Sequence, residues 1–143
     1  RQAGRLASGH VMTITRFKYP VDLVLRRKRK SDGNLFHLEE EYRVAFFQGD
    51  QPTVVKIPKG FATDGPSVPG LFQSSVSVLD AKFEAAVVHD WLYAKGYFHR
   101  GLADEIFLAG MKAAGVGWWQ RSKTYRAVRM FGWAAWNKHR KND

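Results

Sequence analysis

Four residues of this 143-residue chain have the types and spacing for proton chemistry: His89, Asp90, Tyr93 and Asp104. Residues three and four apart share a helix face. On one helix, His89 and Tyr93 are therefore neighbours, and so are Asp90 and Tyr93. The short connection Gly96–His99 sets the helices on either side of it antiparallel. His89 lies about seven residues before that stop, roughly 10 Å along the axis. Asp104 lies about one turn into the next helix, so folding the hairpin back brings it level with His89. A carboxylate there takes the proton on one imidazole nitrogen and leaves the other nitrogen as a base. Taken singly, the same residues also suit plainer roles: a half-buried helix histidine, a carboxylate favoured by the helix-start dipole, and a core tyrosine.

Asp90 follows His89 directly and so points about 100° away around the helix. It suits a hard cation beside the base rather than the orienting role. The loop Asp64-Gly65-Pro66-Ser67-Val68-Pro69 could supply the remaining oxygens, because calcium takes six to eight oxygen ligands and accepts backbone carbonyls. Asp64 could be a side-chain ligand, or it could cap the turn by bonding backbone amides. His10, His37, His99 and His139 lack metal-ligand spacing and read as surface residues.

The elements that must position these groups are legible in outline. Val21–Arg27, Leu35–Phe47 and Thr53–Ile57 read as strands, separated by the turn signals Ser31-Asp32-Gly33-Asn34 and Gln48-Gly49-Asp50-Gln51-Pro52. In the longest, Tyr42, Val44 and Phe46 alternate with Arg43, Ala45 and Phe47. Pro58 to Gly70 holds three prolines and three glycines, with Phe61 and Val68 as apolar anchors. Ser77 and Asp80 match a capping box. Helices are expected over Val78–Ala94, Arg100–Ala114 and Trp118–Lys138. The expected fold is α+β: a small antiparallel β-meander followed by three helices, the first two a hairpin. Residues 1–12 read as a flexible leader and 13–143 as one domain.

Lys plus Arg number 23 and Asp plus Glu 13, a formal charge of +10. Such a chain favours polyanions as partners: nucleic acid, anionic lipid or an acidic protein. The absence of cysteine excludes disulfide staples, Cys-zinc sites and thiol chemistry. No apolar run approaches the ~20 residues of a membrane-spanning helix, and no secretory signal is visible. Basic residues cluster at Arg26–Lys30 and again from Arg121 to Lys141. The second cluster is interleaved with Trp118, Trp119, Tyr125, Phe131, Trp133 and Trp136. Tyr125, Val128, Ala135 and Trp136 suit a core stripe with arginines outside. The same composition suits an interfacial helix on anionic lipid, or phosphate contacts with base stacking.

The segment Ala85-Ala86-Val87-Val88-His89-Asp90-Trp91-Leu92-Tyr93 contains the His-Asp-x-x-Tyr motif and resembles the phospholipase A2 superfamily. Leu102-Ala103-Asp104 is similar to the Ala-Asp of its viral capsid members. The resemblance implies that His89 activates water, that Asp90 and loop carbonyls bind calcium, that Asp104 orients His89, and that Tyr93 supports the network. A longer run of blocks resembles an uncharacterised domain family of tailed phages and prophages. It comprises Ile57 to Pro69, His89 to Tyr93, Arg100, Ala103-Asp104, Phe107, Met111 and Val128 to Gly132, within about residues 20–135. That resemblance implies a phage virion or an infected bacterial cell as the setting. Two functions are expected: a calcium-dependent phospholipase-A2-like lipid ester hydrolase at an anionic phospholipid surface, or a phage structural or assembly protein whose basic faces hold DNA or partner subunits.

Overall fold

The computed structural model describes residues 13–30, 33–63 and 76–141. Six strands come first: β1 (Ile14–Lys18), β2 (Leu25–Lys30), β3 (Gly33–Leu38), β4 (Tyr42–Gln48), β5 (Gln51–Ile57) and β6 (Ala62–Thr63). Four helices follow: α1 (Val76–Lys95), α2 (Arg100–Ala113), α3 (Trp118–Phe131) and α4 (Trp133–Lys141). The fold is α+β, as the sequence indicates. The strands make two three-stranded antiparallel sheets, ordered β1-β4-β5 and β2-β3-β6.

The alternation in β4 decides which face is buried. Tyr42, Val44 and Phe46 are buried, whereas Arg43 is exposed and Ala45 and Phe47 are half-buried. β4 and β5 join through Gly49-Asp50, with Gln48 paired to Gln51. Gly49 has φ +64°, which a two-residue hairpin loop of matching twist asks of its first residue. Pro52, lacking an N–H, is tolerated because β5 is an edge strand.

Leu35–Phe47 is two strands in two sheets rather than one. The break falls at Glu39-Glu40-Glu41, where three successive carboxylates favour solvent over a ladder. Glu39 N–H turns back to Val24 O (2.9 Å) and its carboxylate pairs with Arg26. Val21 and Leu23 pack against the core as the alternation predicts, but the ladder begins only at Leu25. β1 was not anticipated, because Ile14-Thr15-Arg16-Phe17-Lys18 is too short and mixed to carry a period-two signal.

α1 is the central helix. Ala85 to His89 are buried consecutively, as are Trp91 to Tyr93, so this stretch of it is enclosed on all sides. Val87, Val88 and Leu92 meet Val44, Phe46 and Ile57 of the first sheet and Ile106 of α2 in the main core. α1 begins at Val76, so Ser77 lies inside its first turn and is not the residue preceding it. Gly96 ends α1 with φ +64° and donates its N–H to Leu92 O at 2.9 Å. His99 is exposed, as expected, and is also the N-cap of α2, accepting from Leu102 N–H at 3.1 Å. The single helix expected over Trp118–Lys138 is broken at Gly132 into α3 and α4. No described helix is long and apolar enough to cross a membrane.

Sheet and helix are also joined by a polar contact. Tyr42 Oη, buried in β4, donates to Glu84 of α1 at 2.6 Å. Burial and the Glu84 carboxylate both push that phenol well above its ordinary range. Tyr42→Phe is expected to cost about 1.5 kcal/mol, read from the urea midpoint, since hydrogen bonds to charged groups contribute about that much.

Candidate functional site

α1 presents His89 and Tyr93 one turn apart, and the Gly96–His99 connection returns α2 so that Asp104 meets both. His89 Nε2 lies 2.7 Å from Asp104 Oδ1, and Tyr93 Oη donates to the same oxygen at 2.6 Å. The other oxygen, Oδ2, accepts from Arg129 Nη1 of α3 at 2.7 Å and from Arg100 Nη1 at 3.4 Å. Arg100 is itself held by Val128 O (3.0 Å) and Arg129 O (3.3 Å). Asp104 is completely buried and His89 is 8% exposed. The imidazole stacks on Phe107 at 4.5 Å and 24°, with the Tyr93 ring 4.2 Å away. Trp136 of α4 meets Tyr93 edge-on at 5.2 Å.

These donors decide the charge states. Burial alone would raise the Asp104 carboxyl, but hydrogen bonds from His89, Tyr93 and Arg129 hold it below the ordinary carboxylate range. A carboxylate only accepts, so His89 Nε2 carries the hydrogen. In the neutral ring the lone pair is then on Nδ1, which makes no hydrogen bond to a described residue. Burial, with the Asp104 hydrogen bond, raises the Tyr93 phenol far above neutrality, so Tyr93 serves as a donor and not as a base.

Of the residues singled out in the sequence, His89, Tyr93 and Asp104 are brought together. Asp90 faces elsewhere, as one step around a helix requires, and accepts a hydrogen bond from Thr63 Oγ1 of β6. Asp64, Gly65 and Ser67 lie outside the described residues. Among the described residues, no three His, Asp or Glu side chains cluster as a metal site. Among the described residues, two surface clefts lie away from this cluster. One, of about 620 Å³, is between β1 and the α2–α3 face; the other, of about 500 Å³, is on α4. Neither is lined by His89 or Asp104.

Arg100, Arg129, Thr63 and Gly132 lie within the blocks of the phage-family resemblance, but the sequence gives none of them a role at the site. Arg100 stands four residues before Asp104, a spacing that pairs charges on one helix face and so was readable. Arg129, expected on the outside of its helix, turns inward because a buried carboxylate needs donors. Nothing local in the sequence announces that. Gly132 sits where α3 gives way to α4, against the Tyr93 hydroxyl. A Cβ there would stand 2.5 Å from Tyr93 Oη and would clash with Val128 O. Gly132→Ala is expected to cost about 1–3 kcal/mol, as overpacking does. It should also displace the Tyr93 hydroxyl, seen as a changed tyrosine environment in near-ultraviolet circular dichroism.

The model of an uncharacterised family, "Protein of unknown function (DUF1353)", matches residues 36–128. No curated protein and no solved structure matches the chain. The matched stretch runs from β3 into α3 and contains His89, Asp90, Tyr93 and Asp104.

Proposed function

The chain belongs to the DUF1353 family, and we propose that it hydrolyses lipid esters at an anionic surface with His89 as the base that activates water. The observation that carries this reading is the single Asp104 oxygen shared by His89 Nε2 and Tyr93 Oη. It fixes the imidazole tautomer and keeps the basic nitrogen on Nδ1. In the proposed step Nδ1 takes a proton from water as the water oxygen attacks the ester carbonyl. Asp104 stabilises the imidazolium that forms, as an orienting carboxylate does. The imidazolium returns the proton to the departing alkoxide, so one ester and one water become a fatty acid and an alcohol.

Calcium fits the proposal as an ion held by hard oxygens. Asp90 would hold it, together with Asp64, Gly65 and Ser67 of the segment that follows Thr63; Thr63 itself is bonded to Asp90. When bound, such an ion supplies positive charge to an ester oxygen. The test is fatty-acid release from vesicles containing phosphatidylglycerol, with calcium and with chelator. Wild type is expected to release fatty acid, and release is expected to disappear with chelator and in His89→Ala. No release by wild type, or equal release by His89→Ala, overturns the proposal.

A second reading is favoured by the enclosure of Asp104, whose four donors tie α1, α2 and α3 together. On that reading the network is structural, and the protein is a phage structural or assembly component holding DNA or partner subunits with its basic faces. The phage setting, virion or infected bacterial cell, rests on the sequence resemblance alone. This alternative expects co-purification with virions and indifference to calcium.

A further inference from the structure

α3 and α4 carry a long outward stripe that the proposed chemistry does not use. Gly132 joins them: Gly132 N–H donates to Val128 O (2.8 Å) and Trp136 N–H to Gly132 O (3.0 Å). Trp119, Lys123, Arg126, Met130, Trp133 and Asn137 recur at steps of four and three, and the next step reaches Lys141. Within α3 and again within α4 that is the spacing of one helix face. All of these residues are exposed except Lys123, which is half-buried with its ammonium 5.9 Å from the Trp119 ring. Trp118 and Phe131 flank the stripe. Five large apolar side chains of this region, Trp118, Trp119, Met130, Phe131 and Trp133, are 57–68% exposed. Such exposure along one face marks an interaction site more often than ordinary surface.

The charge names the partner. From Trp118 to Lys141 there are seven Lys and Arg and no Asp or Glu. Three of them are tied inward: Arg121 to Val116 O, Arg129 to Asp104, and Arg140 to Tyr93 O and Ala94 O. Lys123, Arg126, Lys138 and Lys141 remain beside the apolar side chains. Lys138 and Lys141 also line the α4 cleft with Trp133 and Asn137. Indole rings suit the headgroup region of a bilayer and cations suit anionic headgroups. Nucleic acid would use the cations, but on a convex helix face it would leave Met130 and Phe131 in water. We propose that this stripe docks flat on an anionic phospholipid bilayer. The proposal deepens the lipid-hydrolase reading and rests on it for the purpose of docking, while the docking itself is measured without hydrolysis.

The experiment uses the full chain carrying His89→Ala, so binding is read without turnover. Sedimentation with phosphatidylcholine vesicles, and with vesicles containing 30% phosphatidylglycerol, gives partition coefficients at low and at high salt. Anionic vesicles are expected to bind at least about tenfold tighter, with the preference shrinking in salt. Met130→Ser with Trp133→Ser is expected to weaken partition about tenfold or more. Lys123→Glu with Arg126→Glu should abolish the anionic preference. Each variant is accepted only if its urea midpoint matches the parent. Partition unchanged by both pairs overturns the proposal. So does displacement from vesicles by duplex DNA that binds both the parent and the Met130/Trp133 variant equally. Docking without hydrolysis in the His89 wild-type chain would uphold the stripe and defeat the hydrolase.

Discussion

Asp104→Ala is expected to lower the unfolding free energy by about 3 kcal/mol. Removing one partner from a buried ionic contact costs about 3–5 kcal/mol, because the remaining groups are left unsatisfied. Here four donors lose their acceptor at once, on three helices. The cost belongs at the low end of that range because the Arg100 and Arg129 side chains are 21% and 38% exposed and can reach water. Urea unfolding at pH 7 measures it. The same carboxylate sets a pH dependence. Its folded pKa is held below the ordinary value of 3.8. Its stabilisation is therefore complete above that ordinary value and is lost as pH falls through the lower folded one. Wild type should lose stability in the acid limb, and Asp104→Asn should show a flatter profile there. A difference between the two that stays constant or widens as pH falls through the acid limb would contradict the assignment.

His89→Asn is expected to reduce lipid-ester turnover by about 10²–10⁴-fold, the usual contribution of a positioned base. The side-chain amide preserves polarity beside Asp104, so the fold is expected to survive where the rate does not. Tyr93→Phe removes one donor from the Asp104 oxygen and leaves the base in place. It should lower turnover about tenfold, in keeping with the roughly 1.4 kcal/mol of one hydrogen bond to a charged group. Turnover at saturating lipid, beside an unfolding curve for each variant, separates the two effects. Equal losses of rate and of stability in both variants would favour the structural reading of the network.

The parts of the fold legible in the sequence are those with local causes. The alternation of Tyr42, Val44 and Phe46, the Gly49-Asp50 turn and the Gly96 stop each follow from a few neighbouring residues. The Gly96–His99 connection was enough to bring Asp104 against His89 and Tyr93. What sequence reasoning could not supply is long-range. The assignment of β3 and β4 to different sheets depends on Val24 and Arg26 capturing Glu39 from another strand. The need for glycine at position 132 depends on the Tyr93 hydroxyl, 39 positions away by the numbering, leaving no room for a Cβ. Arg129 reads as one more surface cation until the carboxylate it neutralises is known to be sealed inside.

The order in which these parts leave the ribosome has a consequence. When residue 128 has just been added, His89, Tyr93 and Asp104 already exist in the nascent chain, but the guanidinium of Arg129 does not. Nor do Trp136, which covers the Tyr93 ring, and Arg140, which caps Tyr93 O and Ala94 O at the end of α1. The clasp is translated after the groups it closes. Until it arrives, Asp104 Oδ2 has only Arg100 of its described donors.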